Sequence, residues 1–370
     1  MPDGTCNIPL LVPDIPTLDE ISPYLRRIDE SRWYTNFGPL CVEFETRLKQ
    51  FLGPPESPPA LTTIANCTLG LELTLSALGL PPGARVLVPA LTFLATASAV
   101  IRAGYTPVFA DVDPETWMLT PEIARDALSF GSIEAVLPVA AFGCAQPVEP
   151  WDALAVEHGI PVVIDAAGAF GNQAVGEHTV VVYSLHATKS LGVGEGGLVA
   201  ARNPELIERI REATYFGIDF SLGVAVRVGT NAKMSEYHCA VGLAALDRWT
   251  RIHKRRVELR DRYRTNLSNT PVRFQKGLEN AVISILPIHL PAPISAHEVS
   301  QLFSQSGIET RAWYLPPITH HPIFQGFSTA GSLSTTLALS DSLLGMPFHT
   351  RLTTRDIDFV CERLESTIQI

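Results

Sequence analysis

Between about residue 60 and residue 202, short runs of β-branched and apolar residues alternate with stretches whose apolar positions recur at helical spacing. The runs are ARVLVPA, TPVFADV, EAVLPVA, IPVVID, TVVVYSL and GGLVAAR. Strands this short and this continuously apolar are buried on both faces, so the alternation predicts an α/β domain with a mainly parallel, mixed sheet flanked by helices. After a long helical stretch from about Ser235 to Asn266 the pattern changes. It continues as AVISILPIHL, a helical AHEVSQLFSQSG and proline-rich loops around YLPPITHHP, which predicts a smaller C-terminal α+β domain. The expected division is a large domain with an N-terminal arm over residues 1–250 and a small domain over 251–370. The proline-rich LGPPESPPA at 52–60 reads as a surface loop.

Composition narrows the function classes. With 28 Lys plus Arg against 38 Asp plus Glu, the net charge of -10 argues against a nucleic-acid surface. The six cysteines (Cys6, Cys41, Cys67, Cys144, Cys239 and Cys361) are scattered without a C-x-x-C, so no zinc site, no other metal site and no disulfide framework is expected. That usage fits a reducing cytoplasm, and MPDGTCNIPLLVPDIP lacks the features of a secretion signal. The uncharged VLVPALTFLATASAVI at 86–101 is too short to span a bilayer and carries a proline; it reads as a buried strand followed by a helix.

Ligands of such sheets gather at the carboxyl ends of the strands, where Asp111, Asp165 and Ser184 fall. Asp165 ends IPVVID, and Lys189 follows VVVYSL one βα step later. An acid and a lysine on adjacent strand ends suit pyridoxal phosphate (PLP): the lysine forms a Schiff base with the aldehyde, and the carboxylate keeps the pyridine nitrogen protonated. Taken alone, each residue reads better as a surface lysine or a helix-capping aspartate. NCTLGLELTLSALGL opens with small polar residues and continues as a helix, so its first amides, with Thr68, suit either a phosphate or a plain N-cap. Phe93 in PALTFLAT is placed to stack on a planar ring or to join the core. The GVGEGG at 192–197 is not a dinucleotide fingerprint, because LVAAR after it reads as a strand; a flexible turn is expected there.

Taken together, WYTNFGPLCVEFE, NCTLGLELTLSALGL, PALTFLATASAVIRAGYTPVFADVDPETW, IPVVIDAAGAF, SLHATKSLGVGEGGLV and GTNAKMSEYHCAVGLAAL resemble the DegT family of PLP-dependent nucleotide-sugar aminotransferases, of aspartate aminotransferase fold type I. The resemblance runs from roughly residue 10 to 260, with a weaker echo at AWYLPPITHHPIF. It implies that Lys189 is the Schiff-base lysine and proton carrier and that Asp165 partners the pyridine nitrogen. Phe93 takes the ring-stacking position, and Cys67 (through its amide), Thr68 and Ser184 take phosphate positions. Asn231 reaches the phosphate of the neighbouring subunit, which implies a homodimer with shared sites. Tyr34, Tyr314 and His320 fall in segments that line the sugar site. YTNFGPL and NAKMSE are similar to the branch acting on dTDP-4-keto-6-deoxyglucose, with glutamate as amino donor. One departure is Gly168, where the family carries Gln or His; a missing side-chain contact is expected, replaceable by Gln. The rival readings are a PLP lyase on the same fold and a PLP-binding sensor without turnover.

Overall fold

The computed structural model describes residues 8–54 and 56–368. Cys6 and Pro55 lie outside the described residues. An eight-stranded sheet forms the centre, in the order Ala60–Ile64, Gly197–Ala201, Thr179–Ser184, Val162–Asp165, Ala135–Val136, Arg85–Pro89, Thr106–Ala110 and Thr329–Ala330. Five of its pairings are parallel; the two that involve Gly197–Ala201 are antiparallel. This is the mainly parallel, mixed sheet expected. Its last strand comes from beyond residue 250, so the C-terminal part of the chain returns to the large sheet beside Phe109 and Ala110.

Successive strand residues point to opposite faces. Leu87, Val108, Val162, Ile164 and Val181 pack under Phe44, Leu48, Trp151, Leu154 and Leu243. The alternate residues Val86, Val88, Phe109, Val163, Val180 and Val182 pack under Leu71, Leu75, Val100, Ile207 and Ile210. With both faces covered, each fully buried Val or Leu contributes on the order of 1.5–3 kcal/mol, and nothing along these strands is free to be polar except at their ends. A second, four-stranded antiparallel sheet holds Arg273–Phe274, Leu286–His289, Leu343–Met346 and Arg311–Ala312. Helices Ala296–Gln305 and Thr354–Ile368 contribute Phe303 and Val360 to its core.

Three local expectations change. The helical stretch from Ser235 is two helices, Glu236–Asp247 and Trp249–Asn266, broken at Arg248, whose guanidinium pairs with Asp14 and, at 3.5 Å, with Glu20. The run EAVLPVA forms a continuous strand only over Ala135–Val136 and pairs again through a single bridge from Val139 to Asp165; Pro138 between them has no N–H to donate. The edge strand Ala60–Ile64, with threonine at two of its five positions and prolines before it, had no strand signature. Among the described residues no helix is long and apolar enough to cross a membrane.

Candidate active site

Asp165 closes the strand Val162–Asp165 opposite Val182 of the neighbouring parallel strand and is 4% exposed. Its Oδ2 accepts from the Thr96 hydroxyl at 2.8 Å and its Oδ1 from the Ala167 N–H at 3.1 Å. Burial pushes its pKa above the ordinary carboxylate value; the Thr96 bond, the Ala167 bond and the charge of Lys189 oppose the rise. Thr96 carried no signal as a site residue, because a threonine in a first helical turn reads as a capping or packing residue.

Lys189 is half-buried in a turn that leaves the strand Thr179–Ser184 and returns as Gly197–Ala201. The turn is stitched by backbone bonds: Leu185 N–H to the Gly196 carbonyl, Val193 N–H to Leu185, Ala187 N–H to Gly194 and Lys189 N–H to His186, all between 2.8 and 2.9 Å. It is therefore not the flexible turn expected from GVGEGG. The glycines permit close backbone approach: a Cβ on Gly192 would stand 2.6 Å from the Ala187 carbonyl oxygen. Burial lowers the Lys189 pKa, against the opposing fields of Cys67 and Asp165. The Cys67 thiol is itself pushed far up by burial, with Asp165 adding to the rise and Lys189 opposing it. These three groups therefore stand within electrostatic reach of one another.

The helix Cys67–Ala77 starts beside them. Ile64 pairs with Gly197, and Gly197 with Ser184, so the helix follows directly on the row that ends in Ser184. A Cβ on Gly197 would stand 2.9 Å from the Cys67 nitrogen, so only glycine lets the helix start sit this close to the sheet. The Asn66 side chain caps the Leu69 N–H at 2.9 Å, and the amides of Cys67 and Thr68 belong to the first turn, whose N–H groups have no partner within a helix. Ser184 Oγ accepts from the His186 N–H at 3.2 Å, which leaves its own hydrogen to donate. An ammonium group, a buried carboxylate and an anion-binding helix start converging on one strand-end row fit PLP: Lys189 for the aldehyde, Asp165 for the ring nitrogen, and Cys67, Thr68 and Ser184 for the phosphate.

Phe93 is 57% exposed at the N-cap of the helix Leu94–Arg102, so it is not a core residue. Tyr314 stacks on Phe142 at 5.8 Å, and its phenol pKa is raised by burial and by the charge of Asp165, which puts it beside the same carboxylate. Tyr34 stacks on Tyr237 at 6.2 Å, and its carbonyl accepts the Glu236 N–H. His320 is exposed on the short turn Ile318–His320. Among the described residues no contact ties Tyr34 or His320 to Asp165 or Lys189. Asn231 is exposed and accepts from Lys233 Nζ at 2.5 Å; the carbonyl of Ala232, the next residue, accepts the Ala65 N–H just ahead of the helix Cys67–Ala77.

Gly168 is more than a missing side chain. A Cβ there would stand 3.2 Å from the Gly143 nitrogen, and Gly143 is held by Asn172, whose Nδ2 donates to its carbonyl at 2.8 Å. Cys41, Glu236 and Cys239 form a buried group that the scattered cysteine spacing concealed. Both Glu236 oxygens already accept N–H groups, from Leu40 at 2.8 Å and Cys41 at 2.9 Å, at the start of the helix Pro39–Leu52. The cluster is accordingly a helix anchor.

The profile of the DegT/DnrJ/EryC1/StrS aminotransferase family matches residues 17–365. Protein Rv3402c of Mycobacterium tuberculosis is 32% identical over 371 residues, covering 95% of this chain and 88% of that protein. The dTDP-4-amino-4,6-dideoxy-D-glucose transaminase of Escherichia coli is 30% identical over 360 residues, covering 94% of this chain and 95% of that enzyme. Among solved structures, DesI in the presence of its TDP-sugar product superposes with a TM-score of 0.88 at 30% identity, covering 98% of this chain and 94% of that one. The chain belongs to the DegT/DnrJ/EryC1/StrS aminotransferase family and is a PLP-dependent sugar aminotransferase.

Proposed function

From membership of this family and the meeting of Lys189 with Asp165 at one row of strand ends, we propose that the protein moves the amino group of glutamate onto the ketone of a nucleotide-linked sugar, dTDP-4-keto-6-deoxyglucose being the favoured acceptor. The acceptor rests on the match to the Escherichia coli transaminase across nearly the whole of both chains. The proposed unit is a cytoplasmic homodimer with shared sites, divided into a large domain over 1–250 and a small one over 251–370.

Bound PLP supplies an aldehyde for amine exchange and a ring that withdraws electrons from the bond being broken. The buried Asp165 carboxylate would pair with the ring nitrogen and hold a proton there. Thr96 and Ala167 donate to it, favouring its charged form against burial. Phe93 covers one face of the ring. The amides of Cys67 and Thr68, the hydroxyls of Thr68 and Ser184, and Asn231 of the partner subunit hold the phosphate. Burial lowers the Lys189 pKa and so enlarges its share of neutral amine. That amine would take the proton from the α-carbon of glutamate and, in the second half of the reaction, give one to the sugar carbon that carried the ketone. Water would supply the keto oxygen of 2-oxoglutarate, and the ketone oxygen of the sugar would leave as water. Tyr314, Tyr34 and His320 contact the sugar.

Incubation with glutamate and a panel of nucleotide-linked 4-keto and 3-keto sugars, read by mass spectrometry, tests this proposal. Amination of the 4-keto-6-deoxy sugar is the expected result. Amination of a 3-keto sugar alone overturns the favoured acceptor, and no exchange with any keto sugar overturns the whole reading.

A further inference from the structure

Thr92 and Thr96 form a buried hydroxyl chain that ends on Asp165. The two Oγ1 atoms are 2.7 Å apart, Thr96 Oγ1 lies 2.8 Å from Asp165 Oδ2, and the threonines are 2% and 1% exposed. A hydroxyl has one hydrogen to donate. When Asp165 is ionised it can only accept, so Thr96 must donate to it and must in turn accept from Thr92. When Asp165 is protonated on Oδ2 the acid can instead donate to Thr96, and Thr96 to Thr92. Only the ionised carboxylate fixes the direction of the chain.

We propose that Thr96, backed by Thr92, is the positioning residue that keeps Asp165 ionised in its buried setting, so that Asp165 holds the proton on the cofactor ring. Burial raises the Asp165 pKa and so works against the charged form, and the first opposing influence is the Thr96 bond. Thr96 stands in the first turn of the helix Leu94–Arg102, whose positive end also favours a nearby anion. Phe93 is the N-cap of that same helix. One turn, residues 92–96, thus presents both a face for the ring and the support for its charge partner. Thr92 just precedes the N-cap and Thr96 lies in the first helical turn, and the bend between the strand Arg85–Pro89 and the helix brings their hydroxyls together beside Asp165.

The inference rests on the reading that Asp165 pairs with the ring nitrogen, and the experiment separates the two. PLP dissociation constants are measured by equilibrium dialysis across pH for the full chain and for Thr96→Val, Thr96→Ser, Thr92→Val, Asp165→Asn and the Thr96→Val/Asp165→Asn pair. Losing a hydrogen bond to a charged group should weaken PLP binding by Thr96→Val roughly tenfold to a hundredfold. It should also move the acid limb of the binding profile to higher pH, because Asp165 then protonates sooner. Thr96→Ser should restore both. Thr92→Val keeps the direct bond and should give a smaller loss with a shift in the same direction; it carries the same readout should Thr96→Val disturb packing. In the Asp165→Asn background Thr96→Val should cost nothing further. Retained PLP binding by Asp165→Asn overturns the site reading, and the relay with it. Weakened binding by Asp165→Asn with an unmoved acid limb in Thr96→Val, or a Thr96→Ser chain as weak as Thr96→Val, overturns the relay alone.

Discussion

Gly168 and Gly143 meet backbone to backbone. A Cβ on Gly168 would stand 3.2 Å from the Gly143 nitrogen, and one on Gly143 would stand 2.9 Å from the Gly168 carbonyl oxygen. Gly143 also has a φ of +96°, where a side chain is strained whatever the space around it.

The first prediction follows from that contact. Gly168→Ala should destabilise the protein by about 1–3 kcal/mol, the usual cost of forcing an atom into a packed site. Neither partner is a flexible side-chain end, and Asn172 holds the Gly143 loop through its bonds to Gly143 and Val282. Gly168→Gln, expected from the family pattern alone to be tolerated, should lose at least as much. Denaturant unfolding of the PLP-free protein measures both; unchanged midpoints would show that the loop yields freely and that the glycine merely omits a contact.

What could be read in the chain and what could not divides along physical lines. Lys189 and Asp165 were legible because PLP chemistry needs an amine and an acid at adjacent strand ends, and the strands announce themselves by unbroken apolar runs. The sheet was legible for the same reason, except where a strand is short on apolar residues, as in Ala60–Ile64, or is cut by Pro138. The contact at Gly168 was not legible because its partner, Gly143, is distant in sequence and close only in space. Thr96 was passed over because its significance lies in a carboxylate on another element. The break at Arg248 was hidden because WTRIHKRR continues the helical pattern without glycine or proline; the ion pairs that turn the chain come from Asp14 and Glu20.

Asp165→Asn should fold yet lose on the order of a hundredfold or more in kcat, because an amide cannot supply the negative charge that holds a proton on the ring. Steady-state kinetics beside circular dichroism checks this. Turnover near that of the wild type would show that the ring is not paired there.

Lys189 ties function to stability with a definite sign. Its folded pKa lies below the ordinary 10.5, so carrying the proton costs the PLP-free folded chain more than the unfolded one. That penalty is fully present below the lowered folded value. It disappears as pH rises through the interval between that value and 10.5. Lys189→Met should therefore raise the unfolding free energy of the PLP-free protein at pH 7, with the gain shrinking toward pH 10, while abolishing turnover. A gain that is independent of pH would assign the effect to packing instead of charge. Borohydride reduction of the PLP-loaded wild type followed by peptide mapping should find the label on Lys189.

The last prediction concerns which chain owns Asn231. The hydrogen bond from Ala65 N–H to the Ala232 carbonyl, 2.7 Å, anchors the backbone after Asn231 to the start of its own chain's helix Cys67–Ala77, while the Asn231 side chain is exposed. A shared site requires that side chain to serve the partner. Its bond to a phosphate would be worth roughly 1.5–3 kcal/mol, so Asn231→Ala should weaken PLP retention. In a dimer of one Lys189→Ala chain and one Asn231→Ala chain, one site then carries both defects and the other neither. Mixing the two weakly active homodimers under exchange should restore up to about a quarter of wild-type activity, since half the dimers are mixed and half of their sites intact. If Asn231 serves its own chain, every site in the mixed dimer keeps one defect. No recovery despite proven subunit exchange would then overturn the shared site and leave Asn231 beside the phosphate helix of its own chain.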